Sequence, residues 1–155
     1  MTNQTITTHL NQILGNELVA INQYFLHSRI LQDWGLQKLA DYEYQESIEE
    51  MQHADKLVQR ILFLKGLPNM QQLGKLHIGQ SVKEILEADL LIEQKAVKDN
   101  QEAIYQCELA KDYPSRDLVS TIMQEEENHI EWLEKQLNLI NLVGEQNYIQ
   151  SQLGN

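Results

Sequence analysis

Six residues of the 155-residue chain combine metal-ligating chemistry with a repeated spacing. Glu50 and His53 are one helical turn apart, as are Glu126 and His129. A lone glutamate precedes each pair: Glu17 stands 33 residues before Glu50, Glu93 stands 33 before Glu126, and corresponding members of the two sets are offset by 76. Each lone glutamate occupies a place where the apolar stripe calls for a core residue, Glu17 among Leu10, Ile13, Ile21 and Tyr24, and Glu93 among Leu86, Leu90 and Val97. The two pairs fall in line with Leu57 and Leu133. Four carboxylates aimed at one apolar core are too costly to bury unless something cationic joins them. Four carboxylates and two imidazoles suit two adjacent metal ions, and an oxygen-rich donor set favours iron or manganese over zinc. One Glu-x-x-His on a glutamate-rich helix reads as an ordinary solvent face; a duplicated set of six does not. Spacing leaves a local choice open, because Glu49 and Glu125 also precede His53 and His129 by four residues, while register with the apolar stripe leans toward Glu50 and Glu126.

The elements that must hold these residues are helices. Apolar residues recur at steps of three and four from Ile6 to Leu31, Leu36 to Leu64, Val82 to Ile104 and Leu118 to Ile140. Trp34-Gly35 and the corner Asp112 to Ser115 interrupt the pattern only briefly, so the first and second helices, and the third and fourth, are expected to be antiparallel neighbours. The connection from Lys65 to Ser81 has 17 residues and no helical period, which is long inside a compact domain. Extended at about 3.3 Å per residue it reaches roughly 55 Å, enough to run beside a helix of about 28 residues, roughly 42 Å long. The second and third helices then run parallel, as do the first and fourth. This is an all-α four-helix bundle with one long crossover, and it brings the six residues together near mid-height. A short fifth helix is expected from Glu145 to Leu153, carried by Tyr148, Ile149 and Leu153.

Composition agrees with one domain over residues 1–155. Two prolines and seven glycines in a chain rich in Leu, Ile, Gln and Glu exclude a β-sandwich. Twelve Lys and Arg against 23 Asp and Glu, a formal charge of −11, repel nucleic acid and anionic membrane and attract cations. Cys107 is the single cysteine and cannot form an internal disulfide. With no basic start leading into an apolar stretch and no membrane span, a soluble cytoplasmic protein is expected.

The segments GNELVAINQYFLHSR from Gly15, ESIEEMQHAD from Glu46, RILFLKGLPN from Arg60, SRDL from Ser115 and EEENHIEWLE from Glu125 resemble signatures of the bacterioferritin family, across essentially the whole chain. The resemblance implies a ferritin-like bundle assembled as a homo-oligomeric cage of twenty-four subunits. It implies oxidation of Fe²⁺ by oxygen or peroxide at an intrasubunit di-iron ferroxidase centre, storage of the ferric mineral, and a ferredoxin-type reductase as partner for iron release. Matched residue by residue, the family's ligands fall on Glu17, Glu50, His53, Glu93, Glu126 and His129, with Glu50 and Glu126 bridging, which closes the choice that spacing left open.

The family also holds haem b between two subunits through one methionine from each, and the matching residue is Met51. One residue beyond Glu50, it points about 100° away from the metal face, on a second stripe of Tyr44, Ile48, Val58 and Leu62. On a two-fold axis Met51 meets its own copy, so one methionine per chain supplies both axial ligands. Tyr24 and Trp132 match aromatics that can donate electrons near the metals, while Leu57 stands where some members have tyrosine. Gln45 and Glu49 stand where some members carry a histidine and an aspartate for an extra iron on the inner surface, so the resemblance does not extend to that site. Asn147 and Gln150 match tail positions that line four-fold pores.

Two rival functions share parts of this pattern. A di-iron or di-manganese oxidoreductase acting on peroxide or an organic substrate would use the same ligands, although a rubredoxin-type module needs paired cysteines. A haem-binding shell or a DNA-shielding mini-ferritin would keep the bundle without mineral storage. Mini-ferritins of that kind usually place their ligands between subunits and often carry a basic tail, whereas MTNQTITTH contains no Lys or Arg.

Overall fold

The four apolar stripes become four long helices. The computed structural model describes residues 2–154, in the order α1 (Thr2–Asp33), α2 (Gln37–Phe63), α3 (Val82–Leu109), α4 (Tyr113–Val143) and α5 (Glu145–Gln150), with no strand among the described residues. α1, α3 and α4 extend past the stripes that announced them. The clearest correction is at Tyr113-Pro114-Ser115, expected as part of a turn and found as the first turn of α4. Asp112 caps that helix by accepting from the Ser115 backbone N–H at 3.1 Å, and a proline in the first turn gives up no hydrogen bond. Arg60 from the end of α2 adds a 2.9 Å ion pair to the same Asp112 carboxylate. α5 is shorter than expected, ending at Gln150 rather than Leu153.

Helix direction follows from residues that meet across the bundle. Ser28 Oγ donates to the Ala40 carbonyl at 2.7 Å while Glu17 faces His53, so α1 and α2 are antiparallel. Gln23 pairs with Asp89 and Asn16 with Asp99, so α1 and α3 are antiparallel as well. α2 therefore runs parallel to α3, as the long crossover requires. That crossover is fastened along one side of α1: Asn11 bonds Leu67 and Asn69, Gln23 accepts from the His77 N–H at 2.8 Å, and His27 accepts from the Gly79 N–H at 3.0 Å. Gly79 must be glycine there, since a Cβ would lie 2.3 Å from the Ile85 backbone nitrogen.

The core is split. Leu10, Leu14, Leu57, Ile61, Cys107 and Ile122 belong to one apolar cluster, and Leu31, Leu36, Leu39, Leu86, Leu133 and Tyr148 to another. Buried Glu17, Glu50, Glu93 and Glu126 occupy the layer between them. Cys107 is enclosed in the first cluster, and burial pushes its thiol up to about 11. Among the described residues no helix is long and apolar enough to cross a membrane.

Candidate metal centre

Each long helix contributes to the polar layer: Glu17 from α1, Glu50 and His53 from α2, Glu93 from α3, and Glu126 and His129 from α4. All six are buried. His53 Nδ1 lies 3.4 Å from Glu17 Oε2 and 3.4 Å from Glu50 Oε2, and ligand atoms of these three residues lie within 4.8 Å of one another. His129 Nδ1 lies 3.5 Å from Glu93 Oε1. The 76-residue offset in sequence thus reappears in space, each histidine facing the lone glutamate of its own set.

Supporting contacts keep the carboxylates in place. Tyr24 donates its hydroxyl hydrogen to Glu93 Oε1, and Asn100 Nδ2 donates to Glu126 Oε2 at 2.7 Å. Tyr24 and Asn100 are themselves 76 residues apart. The symmetry is broken at Glu126, which turns toward Asn100 and Glu17.

Without metal, this layer keeps its charge low by holding protons. Burial, followed by the charge of Glu17, pushes Glu126 up to about 12. Glu17 is raised by burial, against the pull of His53. Burial disfavours a charged His53, but Glu17 and Glu125 outweigh it and the imidazole rises to about 9. His129 is raised in the same way, burial being overcome by Glu93 and Glu46. Both oxygens of Glu17, His53 Nδ1, Glu93 Oε2 and His129 Nε2 are buried and have no hydrogen-bond partner. Buried carboxylate and imidazole atoms of this kind are able to ligate cations, and the donor set fits two oxygen-preferring divalent ions.

Other residues singled out in the sequence fall in varied places. Trp132 is half-buried, 6.1 Å between ring centroids from His129, and Tyr24 meets the same imidazole edge-on at 5.2 Å. Met51 is 55% exposed, with Tyr44 and Leu62 also exposed on α2, whereas Ile48 and Val58 are half-buried. Gln45 is exposed and Glu49 half-buried; Asn147 and Gln150 are exposed on α5. Leu57 is fully buried in the apolar core.

Several contributors escaped the sequence reading. Glu125, weighed there as a partner for His129, instead contacts Nε2 of His53 across the bundle. Glu46 lies 3.5 Å from His129 Nδ1, and burial raises it to about 7. Tyr42 stacks on Trp132 with centroids 3.6 Å apart. Glu43, Glu46, Glu50 and His53 continue one α2 stripe at three- and four-residue steps, so extending the stripe upstream would have found Glu46 and, beyond it, Glu43.

The sequence matches the ferritin family, a ferritin-like domain, over residues 7–143. It is 48% identical to a bacterioferritin of Brucella melitensis over 143 residues, covering 92% of this chain and 89% of that one. It is 44% identical to a bacterial ferritin of Synechocystis over 96% of both chains, and 45% identical to a bacterial ferritin of Neisseria meningitidis over 97% of this chain and 98% of the other. Four long helices, the crossover between α2 and α3 and identity at this level over nearly the whole length lead to one conclusion: the chain belongs to the ferritin-like family, and within it to the bacterioferritins.

Proposed function

We propose that this protein stores iron, oxidising Fe²⁺ with oxygen or peroxide at the centre formed by Glu17, Glu50, His53, Glu93, Glu126 and His129 and retaining the ferric product inside a homo-oligomeric cage, expected to have twenty-four subunits. The observation that carries this reading is the set of buried, unpartnered ligand atoms on Glu17, His53, Glu93 and His129. The relatives named bacterioferritin and bacterial ferritin support it. Fe²⁺ is the substrate and supplies the electrons that reduce the oxidant.

The chain's residues bind, orient and exchange protons. Fe²⁺ entry displaces the protons that burial keeps on Glu17 and Glu126. Tyr24 and Asn100 hold Glu93 and Glu126 at one oxygen each, leaving the other oxygen of each for a metal. Apolar clusters on both sides confine the reaction to this layer. Exposed Met51, together with its copy on a second subunit, would hold haem b, which would supply electron transfer from a ferredoxin-type reductase during iron release. Its thioether stands free of the bundle core, as a ligand shared between subunits must. A cytoplasmic location belongs to this reading.

Anaerobic loading with Fe²⁺, followed by stopped-flow mixing with oxygen or peroxide, tests the proposal. A fast phase saturating near two Fe²⁺ per subunit, then slower growth of a mineral that co-elutes with a large assembly, is the expected result. Rapid oxidation with all iron released as free ferric hydroxide would sink the storage reading and favour a di-iron oxidoreductase.

A further inference from the structure

Beyond the metal centre, toward α5, a second acidic group is buried outside the set of six. Asp89 lies one turn before Glu93 on α3, and Glu43 lies seven residues before Glu50 on α2; their exposures are 0% and 1%. Asp89 Oδ1 accepts from both donors that reach it, Gln23 Nε2 and His27 Nδ1, each at 2.9 Å. His27 is fixed in this role from behind. Its Nε2 accepts from the Gly79 N–H at 3.0 Å, which assigns the ring proton to Nδ1 and leaves the imidazole neutral. The crossover also grips Gln23, whose Oε1 accepts from the His77 N–H at 2.8 Å. Both residues that orient Asp89 are thus locked by the same segment.

These bonds leave Asp89 Oδ2 and both Glu43 oxygens buried without a hydrogen-bond partner. A ligand atom from each of His27, Glu43 and Asp89 lies within 4.8 Å of the others. We propose that Glu43 and Asp89 form a further divalent-cation site, separate from the main centre, that takes a hard, oxygen-preferring ion of the Mn²⁺ or Fe²⁺ class. Asp89 Oδ2 and the Glu43 carboxylate are its ligands; His27 and Gln23 are positioning residues that hold Asp89 by its other oxygen. One proton shared between the two carboxylates would satisfy one oxygen of each and strand the remaining Glu43 oxygen in the core. A cation engages all three. In the metal-free protein, burial and then the Asp89 charge hold Glu43 well above the usual carboxylate range, so cation entry releases a proton from it.

Crystals of the full-length protein soaked in Mn²⁺ and measured by anomalous diffraction at the manganese edge test this inference. The expected map has a peak between Glu43 and Asp89 beside the peaks at the main centre. In Glu43→Gln that peak disappears and the main-centre peaks remain, while the Mn²⁺ bound in solution, counted by electron paramagnetic resonance, falls by about one ion per subunit. Peaks at the main centre alone in the unmodified protein would overturn the inference and leave the proposed function standing. So would an infrared band of a protonated carboxyl that is lost in Glu43→Gln yet unaffected by Mn²⁺. Absence of Mn²⁺ from both places would overturn the inference and the main-centre reading together. The unmodified protein decides the matter even if Glu43→Gln does not fold.

Discussion

The rings of Tyr42 and Trp132 stack with centroids 3.6 Å apart and planes 12° from parallel, and both lie against His129. A metal ion held by His129 would therefore sit within reach of the indole's excited state. In a Trp34→Phe variant, where Trp132 is the remaining tryptophan, anaerobic Fe²⁺ or Co²⁺ should quench the fluorescence in step with occupancy of the centre. Quenching that is equally strong after His129→Ala would show that the metal binds elsewhere.

Ligand and support residues should separate in their kinetics. His53→Ala removes a ligand and should abolish the fast phase of Fe²⁺ oxidation, whereas Asn100→Ala frees Glu126 from its 2.7 Å donor and should slow that phase roughly 10- to 100-fold. Without metal both changes should lower the melting temperature, because His53 carries the proton that offsets Glu17 and Asn100 supplies the donor to buried Glu126. Stopped-flow absorbance and thermal melts of the metal-free variants check both expectations.

The metal-free protein should lose stability as pH rises. Glu46 is raised by burial to about 7 and His53 by its carboxylate neighbours, against burial, to about 9. Each binds its proton more tightly when folded than when unfolded, so each stabilises fully below its unfolded value and loses that contribution as pH passes through the folded one. The windows run from 4.5 to about 7 for Glu46 and from 6.5 to about 9 for His53. The Tm should fall between about pH 5 and 9, and bound divalent metal should counter the fall by replacing the protons. A Tm that rises across this range without metal would contradict the assignment.

Met51→Leu preserves volume and apolarity but removes the thioether. Protein reconstituted with haem should then lack the bis-methionine Soret spectrum while Fe²⁺ oxidation continues at its original rate. An unchanged spectrum would place the haem ligand elsewhere.

The join between α2 and α4 is open to a stability test. Asp112 caps α4 and pairs with Arg60, whose Nε also reaches Ser115 Oγ at 2.9 Å. Asp112→Ala should cost about 1 to 2 kcal/mol from the cap alone, measurable by urea unfolding, with little change in the oxidation rate.

The helices and the six residues of the main set were legible in the sequence because both are periodic along the chain. A stripe at steps of three and four defines a helix whatever surrounds it, and a charge set into that stripe must face the core. The crossover was legible from its length. Tertiary structure decided which side chains meet between helices. Glu125 shares a helix with His129 yet reaches His53, since axial packing and rotation bring α2 and α4 together at that height. Tyr113-Pro114-Ser115 looked like a turn until the Asp112 cap and Arg60 favoured helix. Glu43 and Asp89, separated by 46 residues in sequence, became neighbours only when α2 and α3 ran parallel and the crossover locked His27 and Gln23 between them. Periodicity determines which face of a helix is buried; the relative height and rotation of neighbouring helices determine what that face meets.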